Sequence, residues 1–239
     1  MNPSIDTITL GGGCFWCLEA VYERVQGVTA VESGYCNGPV KNPSYEQVCS
    51  DSTGHAEVVR VSFDPADISL REVLEIFFVI HDPTTLNRQG NDAGTQYRSG
   101  IYHRHAEQER VAREVLAQVN AHHGGRAVTE LLPEDNYSRA EDDHQHYFAN
   151  HPNQGYCAFV VAPKVGKFAK TFASRVRPAL SASEKARNLR VPAARAPSAR
   201  PRAGNAADRA GVICDPARTP RRPAPSGSRP NAADAAGRR

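Results

Sequence analysis

No stretch of the 239 residues approaches the roughly eighteen consecutive apolar residues that a membrane-spanning helix needs. The first ten residues, MNPSIDTITL, also lack the basic segment and apolar core of an export signal. Both absences predict a soluble, cytoplasmic protein. The six cysteines, at positions 14, 17, 36, 49, 157 and 214, do not form the dense spacing of a secreted disulfide framework. No second C-x-x-C pair accompanies Cys14 and Cys17, and neither His103/His105 nor His144/His146 stands at a spacing that fixes zinc. No metal is predicted. The last 63 residues contain no Phe, Trp, Tyr or His. A segment so poor in bulky apolar groups cannot bury enough surface to offset its ordering entropy.

The charge is divided unevenly. Residues 177–239 carry 14 Lys and Arg against four acids, a net of +10, so the overall +3 leaves residues 1–176 at −7. The tail is also rich in Ala and Pro. The expected organisation is a folded domain over 1–176 and a disordered basic tail over 177–239.

Within the folded part, Ile5 to Leu10 alternates as a strand, three glycines interrupt it, and a helix runs from about Cys14 to Val25. Phe15, Leu18, Val21, Tyr22 and Val25 share one stripe of that helix, while Trp16 points almost opposite. A strand is predicted over Val28 to Ser33, a short helix over Ser44 to Ser50 and a strand over His55 to Phe63. That last strand puts His55, Glu57, Val59, Val61 and Phe63 on one face. Ser69 to His81 reads as a buried helix, Gly100 to His103 as a short strand and His105 to Asn120 as an amphipathic helix. Ala127 to Leu132 reads as a strand, Glu141 to Asn150 as helical and Ala158 to Ala162 as a last strand. The loop between Asp82 and Ser99 is long for a compact domain, which marks it as a candidate functional loop. There is no internal repeat. This irregular alternation predicts an α+β sandwich with helices against a small mixed sheet.

Two features carry chemistry. Cys14 opens a helix after Gly13, where free backbone N–H groups and the helix dipole favour a thiolate. Glu57 places a carboxyl among apolar strand neighbours, where desolvation raises its pKa toward that of a usable general acid. A strand-end carboxylate in water, or paired with Arg60 or His55, is the competing reading. Asp92 and Tyr97 read, taken alone, as ordinary loop residues.

Four ordered motifs resemble the A-type peptide methionine sulfoxide reductases. They are Gly13-Cys14-Phe15-Trp16, Gly54-His55-Ala56-Glu57, Gly90-Asn91-Asp92 with Gly94-Thr95-Gln96-Tyr97-Arg98-Ser99, and Asp143-His144-Gln145 before Gly155-Tyr156-Cys157. The similarity spans about residues 6 to 172. It implies a ferredoxin-like core and reduction of the S epimer of methionine sulfoxide, free or in proteins. Carried over by position, it implies Cys14 as nucleophile, Phe15 and Trp16 as the wall for the substrate methyl group, and Glu57 as the acid beside the sulfoxide oxygen. Tyr45 and Tyr97 match phenols that bind that oxygen, and Asp92 a substrate-binding carboxylate. Many members have Gly where this chain has Cys17 and resolve through the position of Cys157; others have both cysteines. Cys17 is the expected first resolving thiol, with Cys157, in a segment expected to be mobile, as the other candidate. The resemblance implies no bound cofactor and a dithiol reductant such as thioredoxin; a monomer is expected.

Two other classes fit parts of the sequence. A general thiol-disulfide oxidoreductase would use Cys14 and Cys17 but leaves Glu57 and the Asp92–Tyr97 loop without a task. A non-catalytic module would capture oxidised methionine and use the tail as an anchor. The tail itself reads as an inert extension, a targeting element or a polycation, whose contact with nucleic acid would be weak and phosphate-driven.

Overall fold

The computed structural model describes residues 4–178. The expected basic tail, from residue 179 onward, lies outside the described residues. A six-stranded mixed sheet has the order β7-β6-β1-β3-β2-β8. Its strands are β1 (Asp6–Gly11), β2 (Val28–Cys36), β3 (Ala56–Phe63), β6 (Gly100–His103), β7 (Glu130–Pro133) and β8 (Ser138–Arg139). All neighbouring pairs are antiparallel except β6 and β7, which are parallel. The central order β6-β1-β3-β2, with helix α1 (Phe15–Tyr22) between β1 and β2 and α3 (Leu70–Ile80) between β3 and β6, is a split βαβ core of ferredoxin type. The expected fold class is thus observed.

Local chemistry explains the elements. Ser69 caps α3 with a reciprocal Ser69–Glu72 capping box, and Ser44 does the same for α2 (Tyr45–Cys49) through Gln47. Ile8, Leu10, Val59, Val61 and Phe63 are buried together with Phe15, Leu18, Val21, Val73, Leu74 and Phe77. Burial of roughly 1.5 to 3 kcal/mol per large side chain makes this the main favourable contribution to folding. The other sheet face carries Cys36, Ala56, Val58 and Tyr102 beneath Tyr137. There Arg60 lies 3.4 Å over the Tyr137 ring and 2.6 Å from Glu134. Helix α4 (Ala106–His122) packs on α3, as its amphipathic pattern predicts. Among the described residues no helix is long and apolar enough to cross a membrane.

The structure corrects several expectations. β2 continues three residues past Ser33, and β7 begins only at Glu130. The Asp82–Ser99 loop contains a small hairpin, β4 (Arg88–Gln89) and β5 (Asp92–Ala93), and a 3₁₀ turn at Thr95–Tyr97. The stretch from Glu141 is a 3₁₀ turn at Asp142–His144 and a separate helix α5 (Tyr147–Asn150), because His146 takes a left-handed φ of 55° and breaks the run. The proposed strand over Ala158 to Ala162 is helical. Cys157–Val161 forms a π-helical turn continuous with α6 (Ala162–Thr171), burying Cys157, Val161 and Phe168 while leaving Ala158 and Phe159 exposed. Two valines in an apolar run imitate a strand, but the buried positions recur at helical spacing. The chain stays anchored just beyond the expected boundary: Val176 bridges Val25 and the Arg177 N–H donates to the Arg24 carbonyl.

Gly13 is where glycine is required. Its φ is +91°, and a Cβ there would lie 2.7 Å from Cβ and Cγ of Gln89. Gly13→Ala is expected to cost about 1 to 3 kcal/mol, seen as a fall of several degrees in the thermal midpoint. An unchanged midpoint would show that the turn and Gln89 yield freely.

Candidate active site

The glycine turn delivers Cys14 to the N-cap of α1, and the next residue ties the helix start to β3. The Phe15 N–H donates to Glu57 Oε2 at 3.2 Å. Glu57 faces the helices opposite Tyr35 of β2, is 1 % exposed, and its Oε1 has no hydrogen-bond partner. Burial pushes its pKa up to about 8; the Phe15 N–H opposes this, and Asp92 adds to it. The carboxyl is therefore mostly protonated at neutral pH. Neither competing partner reaches it, since Arg60 is paired with Glu134 and His55 Nε2 lies 2.7 Å from the Val40 carbonyl.

The two helix thiols act on each other's acidity. Burial pushes the Cys14 thiol well above its ordinary value, with its hydrogen bond to Cys17 and the charge of Glu57 adding to the effect. Cys17 is drawn down to about 7 by that same bond, against its own burial and with help from Lys164. At the helix start, desolvation and the nearby acids thus act against the thiolate that the free N–H groups and the helix dipole favour on Cys14. Cys157 is fully buried and also raised by burial, with Cys17 as its second influence. It stands in a packed helical turn.

Aromatic rings enclose the thiols. Phe15 stacks on Tyr45 at 6.4 Å, and His144 lies 4.2 Å from Tyr45 and 5.6 Å from Trp16. Trp16 is not exposed by pointing away from the sheet; Tyr147 covers it at 3.7 Å with the rings 7° from parallel, leaving it 3 % exposed. Tyr97 is buried, and the charges of Glu57 and Cys14 both bear on its phenol. Asp92 is half-buried, accepts from the Tyr156 hydroxyl at 2.7 Å and is raised by burial. That hydroxyl also lies 4.0 Å from Cys17 Sγ. All nine residues singled out in the sequence thus gather around one end of the sheet.

Sequence reasoning left His144, Tyr147 and Tyr156 without roles. The signal for His144 and Tyr156 was present in the Asp143-His144-Gln145 and Gly155-Tyr156-Cys157 motifs, while Tyr147 lies outside both, and no periodicity shows that these segments fold back over α1. The assembled groups, a thiol pair, a protonated buried acid, phenols and an aromatic wall, suit nucleophilic attack on a polar, oxygen-bearing soft atom with proton delivery to the oxygen.

Comparison with known proteins agrees with this chemistry. The family described as peptide methionine sulfoxide reductase matches residues 6–176. The peptide methionine sulfoxide reductase MsrA of Saccharolobus solfataricus is 54 % identical over 173 residues, covering 72 % of this chain and 98 % of that protein. The MsrA of Deinococcus radiodurans is 51 % identical over 168 residues, covering 70 % and 82 %. Among solved structures, methionine sulfoxide reductase A of Corynebacterium diphtheriae superposes with a TM-score of 0.61 at 38 % identity, covering 66 % of this chain and 80 % of that one. Mxr1 from Saccharomyces cerevisiae in reduced form gives 0.61 at 36 % identity, covering 66 % and 91 %. On its sequence, its fold and the ordered motifs that meet in its site, this chain belongs to the peptide methionine sulfoxide reductase family.

Proposed function

We propose that this site reduces the S epimer of methionine sulfoxide, free or in proteins, with Cys14 as nucleophile and Glu57 as acid. The observation that carries the reading is the buried Glu57 carboxyl, with one oxygen fixed by the Phe15 N–H and the other unpartnered, beside a thiol at a helix start. Sulfoxide oxygen is a poor leaving group until protonated. As Cys14 sulfur attacks the sulfoxide sulfur, its proton passes to the neighbouring Cys17 thiolate, and Glu57 protonates the oxygen. The oxygen ends on Cys14 as a sulfenic acid and methionine leaves as the thioether. Tyr45 and Tyr97 hold the oxygen, Phe15 and Trp16 pack the methyl group, and Asp92 with Tyr156 orients the rest of the substrate. The test is turnover of resolved methyl sulfoxide epimers under excess dithiothreitol. Turnover of one epimer supports the reading. Loss of selectivity would favour a general thiol-disulfide oxidoreductase, and binding without turnover a non-catalytic module.

The sulfenic acid then condenses with a thiol, releasing water and forming a disulfide. We assign Cys17 as the first resolving residue, because it already contacts Cys14 and its low pKa supplies a thiolate near neutral pH. Cys157 follows by exchange and passes the disulfide to a dithiol protein such as thioredoxin, with no bound cofactor. Such a cycle draws on a supply of dithiol reductant, which supports a cytoplasmic location, and one chain supplies every site residue, which supports a monomer. After one turnover without reductant, Cys157→Ser is expected to hold a Cys14–Cys17 disulfide by mass spectrometry. If it holds none while Cys17→Ser recycles normally, Cys157 resolves directly.

We also take 1–176 as the catalytic domain, to which Arg177 is still tied by its N–H bond to the Arg24 carbonyl. Truncation after Pro178 is expected to leave the thermal midpoint and dithiothreitol-driven kinetics within about twofold of the full chain, as the lack of bulky apolar residues in the removed sequence predicts. A larger loss would show that the basic segment contributes to the domain.

A further inference from the structure

Glu19 is fully buried on α1, one turn beyond the thiols, and none of the roles assigned above uses it. Buried carboxylates are rare unless paired, so its partners define its task. It has three. Oε1 accepts from the His146 N–H at 2.9 Å and the Ser33 hydroxyl at 3.2 Å, and Oε2 accepts from the Tyr147 N–H at 3.1 Å. The left-handed φ of 55° at His146 followed by the helical turn of Tyr147 aims two successive backbone N–H groups at one carboxylate, which is a backbone nest closed by a side chain.

Those donors belong to the segment that covers Trp16. Tyr147 stacks on the indole and His144 lies beside it, while Gln145 ties the same segment to β2 by accepting from the Ser33 N–H and donating to the Ser33 carbonyl. Glu19 and Glu23 lie close enough to His146 to resemble a metal-ligand cluster. The resemblance does not survive inspection of Glu19, whose two oxygens already face N–H and O–H donors, the arrangement for holding backbone rather than a cation.

We propose that Glu19 is the positioning residue of the substrate methyl pocket. By gripping the backbone at His146 and Tyr147 it holds the Tyr147 ring flat on Trp16 and so fixes the width of the slot that Trp16 lines. This deepens the proposed reductase reading and rests on it for the slot's occupant. Glu19 itself touches neither thiol chemistry nor the sulfoxide oxygen. Its loss therefore acts on the fit of the substrate, not on the acid or the nucleophile.

Trp16 is the only tryptophan in the chain, so its fluorescence reports this stack without any need for activity. Glu19→Gln keeps the side-chain volume but offers one acceptor oxygen where two were used, and turns an NH₂ toward a backbone N–H. The expected result is a red-shifted and altered Trp16 emission, a KM for a methyl sulfoxide roughly tenfold higher, and a kcat within about threefold of the parent. Tyr147→Ala should shift the same two readouts, and the double variant should add little to either single one, since both act through one stack. Glu19→Asp keeps the charge and should rescue part of both effects, which also guards against failure of Glu19→Gln to fold. Parent emission and parent KM in a folded Glu19→Gln, or in Glu19→Asp if only that variant folds, would overturn the proposal. Full additivity with Tyr147→Ala would overturn it too. If the parent itself turned over no sulfoxide, the function would fail while the fluorescence comparison would still decide what Glu19 holds.

Discussion

Cys14→Ser is expected to abolish sulfoxide reduction while leaving the fold intact. Serine matches the cysteine closely in size and can keep the N-cap position, so Phe15, Glu57 and the aromatic wall have no reason to move. The hydroxyl, however, is neither appreciably ionised near neutral pH nor soft enough to attack sulfur. A loss of at least about 1,000-fold in single turnover, down to no measurable turnover, is the outcome to look for. Residual activity of a few per cent of the parent would mean that Cys17, with its lower pKa, is the nucleophile. That possibility is concrete, because Cys17 is the thiol of the two that is drawn down, to about 7. Cys14→Ala supplies the complementary check. Without the Cys14 donor, the pKa of Cys17 should rise well above 7, read as slower alkylation of the Cys17 peptide near neutral pH. Unchanged alkylation would show that Lys164 or Tyr156, not Cys14, lowers it.

Much of the fold was legible because its signals are local. Glu57, Val59, Val61 and Phe63 alternate, Ser69 and Glu72 stand at capping-box spacing, and the three glycines separate β1 from α1. Each follows from a backbone period or a cap that a few residues define. The errors arose where tertiary contacts outweigh local pattern. Val160 and Val161 have strand-like propensity, yet the buried side of that segment recurs at Cys157, Val161 and Phe168 because it packs as a helix. The break at His146 depends on a carboxylate 127 positions away in sequence, which no window could contain. The same holds for the site. Burial of Glu57 could be read from strand alternation, whereas cover over Trp16 needs the return of Tyr147, and the rise of the Cys14 pKa needs its burial beside Glu57 and Asp92. Polarity at a helix start indicates where a charge is favoured; it does not indicate how much burial opposes it.

Glu57→Gln is expected to lower the single-turnover rate by roughly 100-fold to 10,000-fold, the usual range for a positioned proton donor. The amide can still accept from the Phe15 N–H, so fold and substrate affinity should change little. The pH dependence distinguishes proton donation from simple packing. In the parent, the rate should climb as Cys17 becomes able to take the Cys14 proton, near pH 7, and fall as Glu57 loses its own proton, near pH 8. The variant should retain the rise and lack the fall, so its deficit is largest on the acid side of pH 8 and narrows above it. Stability should fall over the same pH range. A carboxyl raised from 4.5 to about 8 binds a proton in the folded state that the unfolded state releases, so its stabilising contribution is complete below 4.5 and is lost as pH rises to about 8. The parent should thus lose thermal stability between pH 5 and pH 9 by more than Glu57→Gln, which has no charge to bury. A variant rate within about threefold of the parent, or parallel stability profiles for the two proteins, would show that the Glu57 carboxyl neither donates the proton nor carries it at neutral pH.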